Sequence, residues 1–185
     1  MVKRGKKQRI YVCHTYYHVY FTFLKELSLS EKQRGQATLV LSKLSIDFEN
    51  LKERVERTGL FEEVIEFDEK REDYFPELAE YRKDTGSFFG NLKNRIRFTR
   101  RYAELEAPYV PVDFREYQDI YVYCDSDPIG YYLNRNRIYY HAVEDGLNCL
   151  KNADIARYDN RGYFRLKVIL SMYFNFIFLN KCYWK

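Results

Sequence analysis

Apolar residues in this chain fall into short runs separated by turn-forming residues, and the runs alternate between two periods. Arg9 to Cys13 is a buried first strand by this pattern. The wider spacing of Val19, Phe23, Leu24 and Leu27 then predicts a helix beginning near Thr15. Gln33 to Gly35 are loop, and Ala37 to Leu41 (ATLVL) is a continuous apolar run of the kind found in strands covered on both faces. Ser45 or Asp47 can cap the next helix, in which Phe48, Leu51 and Val55 follow at helical spacing before Gly59 ends it. Glu63 to Phe67 supplies a third strand. Tyr74 to Glu106 reads as helical with a break around Thr85-Gly86, and the segment APYVPVD, with Pro108 and Pro111, closes that excursion. Two more runs, Ile120 to Cys124 and Arg137 to Val143, predict strands with a short helix from Pro128 to Leu133 between them; Phe164 to Phe178 reads as a further helix. Strand, helix, strand in this order predicts the α/β class, a Rossmann-like parallel sheet with right-handed crossovers and helices on its faces.

Composition narrows the picture. At 185 residues and 46% hydrophobic the chain can bury one core, so residues 1–185 are expected to form a single domain. Charged residues are interspersed and the net charge of +4 is too small to imply a nucleic-acid partner. The 19 Tyr and 14 Phe suit sheet surfaces and a cleft for carbohydrate or nucleoside alike. Cys13, Cys124, Cys149 and Cys182 lack any CxxC spacing and no secretion signal is recognisable at the start, so reduced thiols in a cytoplasmic protein are expected. Val168 to Leu179 is apolar and aromatic but falls short of the roughly 20 residues that span a bilayer; it reads as a core helix or one that docks on a partner surface. Lys93, Arg95, Arg97, Arg100 and Arg101 form either a solvated face or a patch for an anionic ligand or a membrane surface.

Four acids follow two strand ends: Asp125 and Asp127 after the first, Glu144 and Asp145 after the second. The carboxyl edge of a parallel sheet is where such folds bind ligands. Glu144-Asp145-Gly146 is the leading site, because two adjacent acids repel, one pKa rises, and the pair can supply a general base, while Gly146 lets a ligand approach closely. Alone, the same turn is also a common surface feature. His14, Thr15 and His18 fall at the first strand-to-helix junction, on the same sheet edge, where helix N–H groups favour an anionic group. The histidine pair needs further ligands to hold a metal, and none is expected. His141 reads as a satisfied core histidine, and Asp125-Ser126-Asp127-Pro128 as a turn and N-cap or as cleft lining. The chain has no GxGxxG, GxxxxGK[ST] or GxSxG, so dinucleotide, P-loop and hydrolase-elbow chemistries have no entry point.

Two segments carry a family resemblance. IYVCHTYYHVYFTFL resembles the hydrophobic strand followed by T-x-Y-H or T-x-Y-Q that opens many bacterial sialyltransferases of glycosyltransferase family 52, and YYHAVEDGLNCL resembles their acidic D/E-D/E-G motif, in the same order and spacing. Capsule polysialyltransferases share that acidic motif. The resemblance implies the amino-terminal, acceptor-side lobe of a metal-independent GT-B enzyme of lipooligosaccharide or capsule biosynthesis. It would transfer sialic acid from CMP-sialic acid, with inversion, to a galactose-terminated surface glycan, with Glu144 or Asp145 as general base and Gly146 shaping the turn. The family's His-Pro motif, which contacts the donor, has no counterpart among the four prolines, so a donor-binding lobe is expected outside this chain and little turnover from this chain alone. The apolar tail would favour pairing with a second copy, and the basic window is compatible with peripheral association at the inner membrane face. Two other readings share the architecture: a transferase using another nucleotide sugar, and a non-catalytic carbohydrate-binding or assembly module.

Overall fold

A run such as Ile10-Tyr11-Val12-Cys13 can avoid water on both faces only in the middle of a sheet that helices cover from both sides. That is where it lies. The computed structural model describes residues 6–143, and within them five strands form one all-parallel sheet of order β3-β2-β1-β4-β5. In chain order these are β1 (Lys7–Cys13), α1 (Tyr16–Ser28), β2 (Ala37–Ser42), α2 (Leu51–Glu56), β3 (Glu63–Phe67), α3 (Phe88–Glu106), β4 (Tyr117–Val122), α4 (Pro128–Arg135) and β5 (His141–Ala142), with short 3-10 segments before and after α3. The expected α/β, Rossmann-like sheet is present. Ile10 aligns with Thr38 on one side and Ile120 on the other, so β1 is the axis.

Side chains alternate across the sheet with period two. Ile10, Val12, Val40, Ile120 and Val122 pack with Phe67, Phe114 and with Ile129 and Leu133 of α4 on one face. Tyr11, Cys13, Leu39 and Leu41 pack with Val19 of α1 and Val55 of α2 on the other. A third cluster joins Phe98 and Tyr102 of α3 to Phe75 and Leu78.

The helix α1 begins where the sequence predicts, with Thr15 as N-cap accepting from the His18 N–H, but it buries a different face. His18, Val19, Thr22 and Glu26 point inward, whereas Tyr16, Tyr17, Tyr20, Phe21, Leu24 and Leu27 are exposed. The buried polar side chains of α1 are all bonded. Glu26 takes two hydrogen bonds from the Arg9 guanidinium at 2.9 and 3.1 Å and one from the Tyr11 hydroxyl at 2.7 Å, and Arg9 also reaches the Gln33 carbonyl. Thr22 lies 3.0 Å from the Tyr123 hydroxyl and 3.4 Å from the Cys13 sulfur. Polar residues at the interior positions are tolerated because β1 and the segment after β4 supply matching partners.

Other boundaries differ for identifiable reasons. Neither Ser45 nor Asp47 caps α2: Asp47 accepts from Glu49 N–H in a turn, Glu49 takes φ 48°, and the helix starts only at Leu51, so Phe48 is buried from outside it. Gly59, at φ 64°, follows the helix as expected. The first half of the long helical stretch is two 3-10 segments, Glu72–Tyr74 and Pro76–Arg82, because Pro76 disfavours a helical Phe75, which sits at φ −119°, ψ 83°. The fourth strand runs Tyr117–Val122 and stops short of Cys124, and the fifth is only His141–Ala142. Arg137 turns with φ 54°, and Ile138 and Tyr140 alternate inward to the core under α4 rather than pairing in the ladder. His141 is exposed rather than a core residue; it stacks on Tyr121 at 4.8 Å and lies 3.6 Å from Asp119. The Glu144 turn, the helix expected at Phe164 to Phe178 and the apolar run Val168 to Leu179 lie outside the described residues. Among the described residues no helix is long and apolar enough to cross a membrane.

The inward polar face of α1 leads to a reversal of the usual hydrophobic expectation. Leu24→Ser should leave the urea midpoint of unfolding nearly unchanged, within about 0.5 kcal/mol, as for an exposed side chain. Glu26→Ala should cost about 3–5 kcal/mol, because it strands the buried Arg9 charge. Equal losses in the two variants would contradict this burial assignment.

Candidate functional site at the sheet's carboxyl edge

The chain steps from β1 to β2 to β3 on one side and returns to β4 and β5 on the other, so the strand order reverses between β1 and β4. Open parallel sheets bind ligands at the carboxyl ends of the strands beside such a reversal. His14 follows β1 there, Asp125 and Asp127 follow β4, Ser42 ends β2 and Glu69 lies just beyond β3.

His14 and Ser42 converge on Glu69, whose side chain is fully buried. Its Oε2 lies 2.8 Å from His14 Nε2 and accepts the Ser42 hydroxyl at 2.5 Å, and its Oε1 accepts the Ile129 backbone N–H at 2.8 Å in the first turn of α4. Asp127 Oδ2 is 3.8 Å from the same His14 nitrogen. Asp127 stands at the N-cap position of α4, as the sequence reading had it, but makes no side-chain capping bond; Glu69, from the loop after β3, accepts the Ile129 N–H instead. Asp125 accepts from the Tyr140 hydroxyl at 3.4 Å, and Gly130 lets the Asp125 carbonyl come so near the helix that a Cβ at position 130 would lie 1.9 Å from it.

His18 holds the β1–α1 junction. Its Nδ1 accepts the His14 backbone N–H at 3.1 Å and its ring stacks on Tyr123 at 4.5 Å. His14, His18 and Cys124 bring one ligand atom each within 4.8 Å of one another, so the third ligand that the histidine pair lacked in sequence comes from the end of β4. The hydrogen bond at His18 counts against a metal there: a neutral ring that accepts at Nδ1 carries its proton on Nε2 and has no second lone pair to offer. The Cys13 thiol behind this cluster is inert, its pKa pushed up to about 12 by burial.

The segment carrying Glu69 is tied to α3. Glu106 Oε1 accepts the Lys70 N–H at 3.0 Å, and the Tyr102 hydroxyl donates to the Lys70 carbonyl at 2.8 Å. Glu106 is buried, and its Oε2 has no hydrogen-bond partner among the described residues. Burial pushes its pKa up to about 7; the Lys70 N–H opposes the shift and the neighbouring Glu69 charge adds to it.

Of the residues singled out in sequence, His14, Thr15, His18, Asp125 and Asp127 share this edge. Glu144, Asp145 and Gly146 lie outside the described residues, although Val143 N–H bonds the Val122 carbonyl at 2.8 Å and so brings the chain along β4 to the same edge. Ser42, Glu69, Cys124 and Glu106 were missed. Glu69 had a signal: an acid two residues past a strand, as Asp127 is an acid just past another. In the basic window Lys93, Arg97, Arg100 and Arg101 are exposed, whereas Arg95 is half-buried and donates to the Tyr131 hydroxyl at 3.3 Å. Comparison with family models, curated proteins and solved structures finds no match to this chain.

Because the Glu106 pKa in the folded protein lies above its ordinary value of 4.5, the stability it contributes is full below that value and is lost as pH rises through about 7. Glu106→Gln keeps an acceptor for the Lys70 N–H and removes the titration. Urea unfolding between about pH 5 and pH 8 should therefore show the variant gaining on the native protein as pH rises, by at most about 1.4 kcal/mol per pH unit. Parallel stability profiles would refute the assignment.

Proposed function

We propose that this chain is the Rossmann-like, acceptor-side lobe of a cytoplasmic glycosyltransferase that moves sialic acid from CMP-sialic acid to a galactose-terminated glycan. The observation that carries this reading is the meeting at one sheet edge of two segments far apart in sequence. One is the His14-Thr15 junction, and the other is β5, which is followed by Val143 and then Glu144. Those are the two segments that resemble bacterial sialyltransferases, and an edge beside a strand-order reversal suits a nucleotide-sugar reaction.

In the proposed reaction the acceptor hydroxyl oxygen attacks the anomeric carbon of the sialic acid. The bond from that carbon to the CMP phosphate oxygen breaks, CMP departs with the bonding electrons, and one acid of the Glu144-Asp145 pair takes the hydroxyl proton. The Thr15-capped start of α1 lies on the same edge, where helix N–H groups favour an anionic group of donor or acceptor. The exposed aromatic face of α1 gives weight to a second reading, a glycan-binding or assembly module without turnover.

The test is CMP release from CMP-sialic acid, and from a panel of other nucleotide sugars, by the longest natural polypeptide containing this chain in the presence of galactose-terminated acceptors. Turnover is expected with CMP-sialic acid, and Glu144→Gln or Asp145→Asn should lower kcat about 10²- to 10⁴-fold, as loss of a general base does. Undiminished rates in both variants would remove the base assignment, turnover with a different donor would change the substrate, and tight glycan binding without any turnover would favour the module.

A further inference from the structure

We infer that Glu69 is a positioning residue for this site, fixing the tautomer and plane of the His14 ring at the point where the strand order reverses. For catalysis the inference rests on the proposed transfer; for the chemistry of the ring it stands on geometry alone. A carboxylate can only accept, and Glu69 faces three donors from three different elements: the Ser42 hydroxyl at the end of β2, the Ile129 N–H in the first turn of α4 and His14 Nε2 after β1. Both Glu69 and His14 side chains are fully buried, so water does not compete for these bonds. His14 must then carry a proton on Nε2, which makes Nδ1 the lone-pair atom of the neutral ring.

The residue is also fixed at its backbone. Its own backbone N–H is bonded to His18 Nδ1, and Asp127 adds a second carboxylate 3.8 Å from Nε2. A carboxylate that orients an imidazole in this way sets which of its nitrogens carries the proton. Glu69 itself, enclosed by its three donors, touches no ligand and acts through His14.

Replacement by glutamine gives a result that a merely structural role would not. The Ile129 N–H still needs an acceptor, so the amide oxygen of Glu69→Gln faces α4 and its NH2 group faces His14, while the Ser42 hydroxyl can turn to accept. An NH2 donor opposite Nε2 demands a lone pair there, and the ring proton moves to Nδ1.

Nitrogen-15 NMR of the histidine rings reads this directly. The native protein should show His14 protonated on Nε2, Glu69→Gln should show it on Nδ1, and Ser42→Ala, which removes one donor and leaves the carboxylate, should keep the native pattern. A native ring protonated on Nδ1 alone overturns the inference even if the glutamine variant fails to fold, and so does a glutamine variant that folds with the Nε2 proton in place. A tautomer that switches in a protein without sialyl transfer supports the Glu69–His14 coupling while removing the proposed reaction.

Discussion

One buried carboxylate holds the carboxyl edge of this sheet together. Glu69 is surrounded by donors from the ends of β1 and β2 and from the start of α4, and the loop that carries it is fastened to α3 through Glu106 and Tyr102. An ionised carboxylate without such partners would cost several kcal/mol to bury, so each donor is there by necessity and none can be lost singly at small cost. Side chains and backbone from four segments are thereby given one mutual arrangement. That arrangement lies where the strand order reverses between β1 and β4.

The interior around β1 follows the same logic. Arg9, Glu26 and Tyr11 form one satisfied group near its start, and Thr22, Cys13 and Tyr123 a second further along. Apolar packing on both sides of the sheet supplies the driving force for collapse, but it is indifferent to which face of α1 turns inward. The polar groups decide that question, since only one rotation of the helix satisfies Arg9 and the His14 N–H together. Specificity of this kind leaves an aromatic outer face on α1 as its by-product.

The sheet itself was legible because parallel strands covered on both faces are continuous β-branched runs, and β2 and β3 were placed to within a residue. The rotation of α1 was not, because its apolar stripe through Leu24 and Leu27 is the stronger periodic signal, and nothing local shows that Glu26 has Arg9 waiting for it. Ile138 and Tyr140 misled in the opposite sense: their alternation is a true sign of burial, but burial beneath α4 rather than in a ladder. Half of the site could be read, since His14, Thr15, His18, Asp125 and Asp127 stand at strand ends. Glu69 and Glu106 escaped notice because their partners are distant in sequence, and an acid after a strand looks the same whether it is solvated or enclosed.

The placement of β1 at the axis also bears on how the chain comes together. Its two neighbours are made at very different times: β2 follows within one helix, whereas Lys7 of β1 meets Tyr117 of β4 across a separation of 110 residues. Until β4 has emerged, one side of β1, whose last four residues are fully buried, is an open edge, and the strand-order reversal at the site is not yet formed. An edge of this kind recruits other chains as readily as its own, so competition between closure and intermolecular pairing is set by the same strand that later anchors the fold.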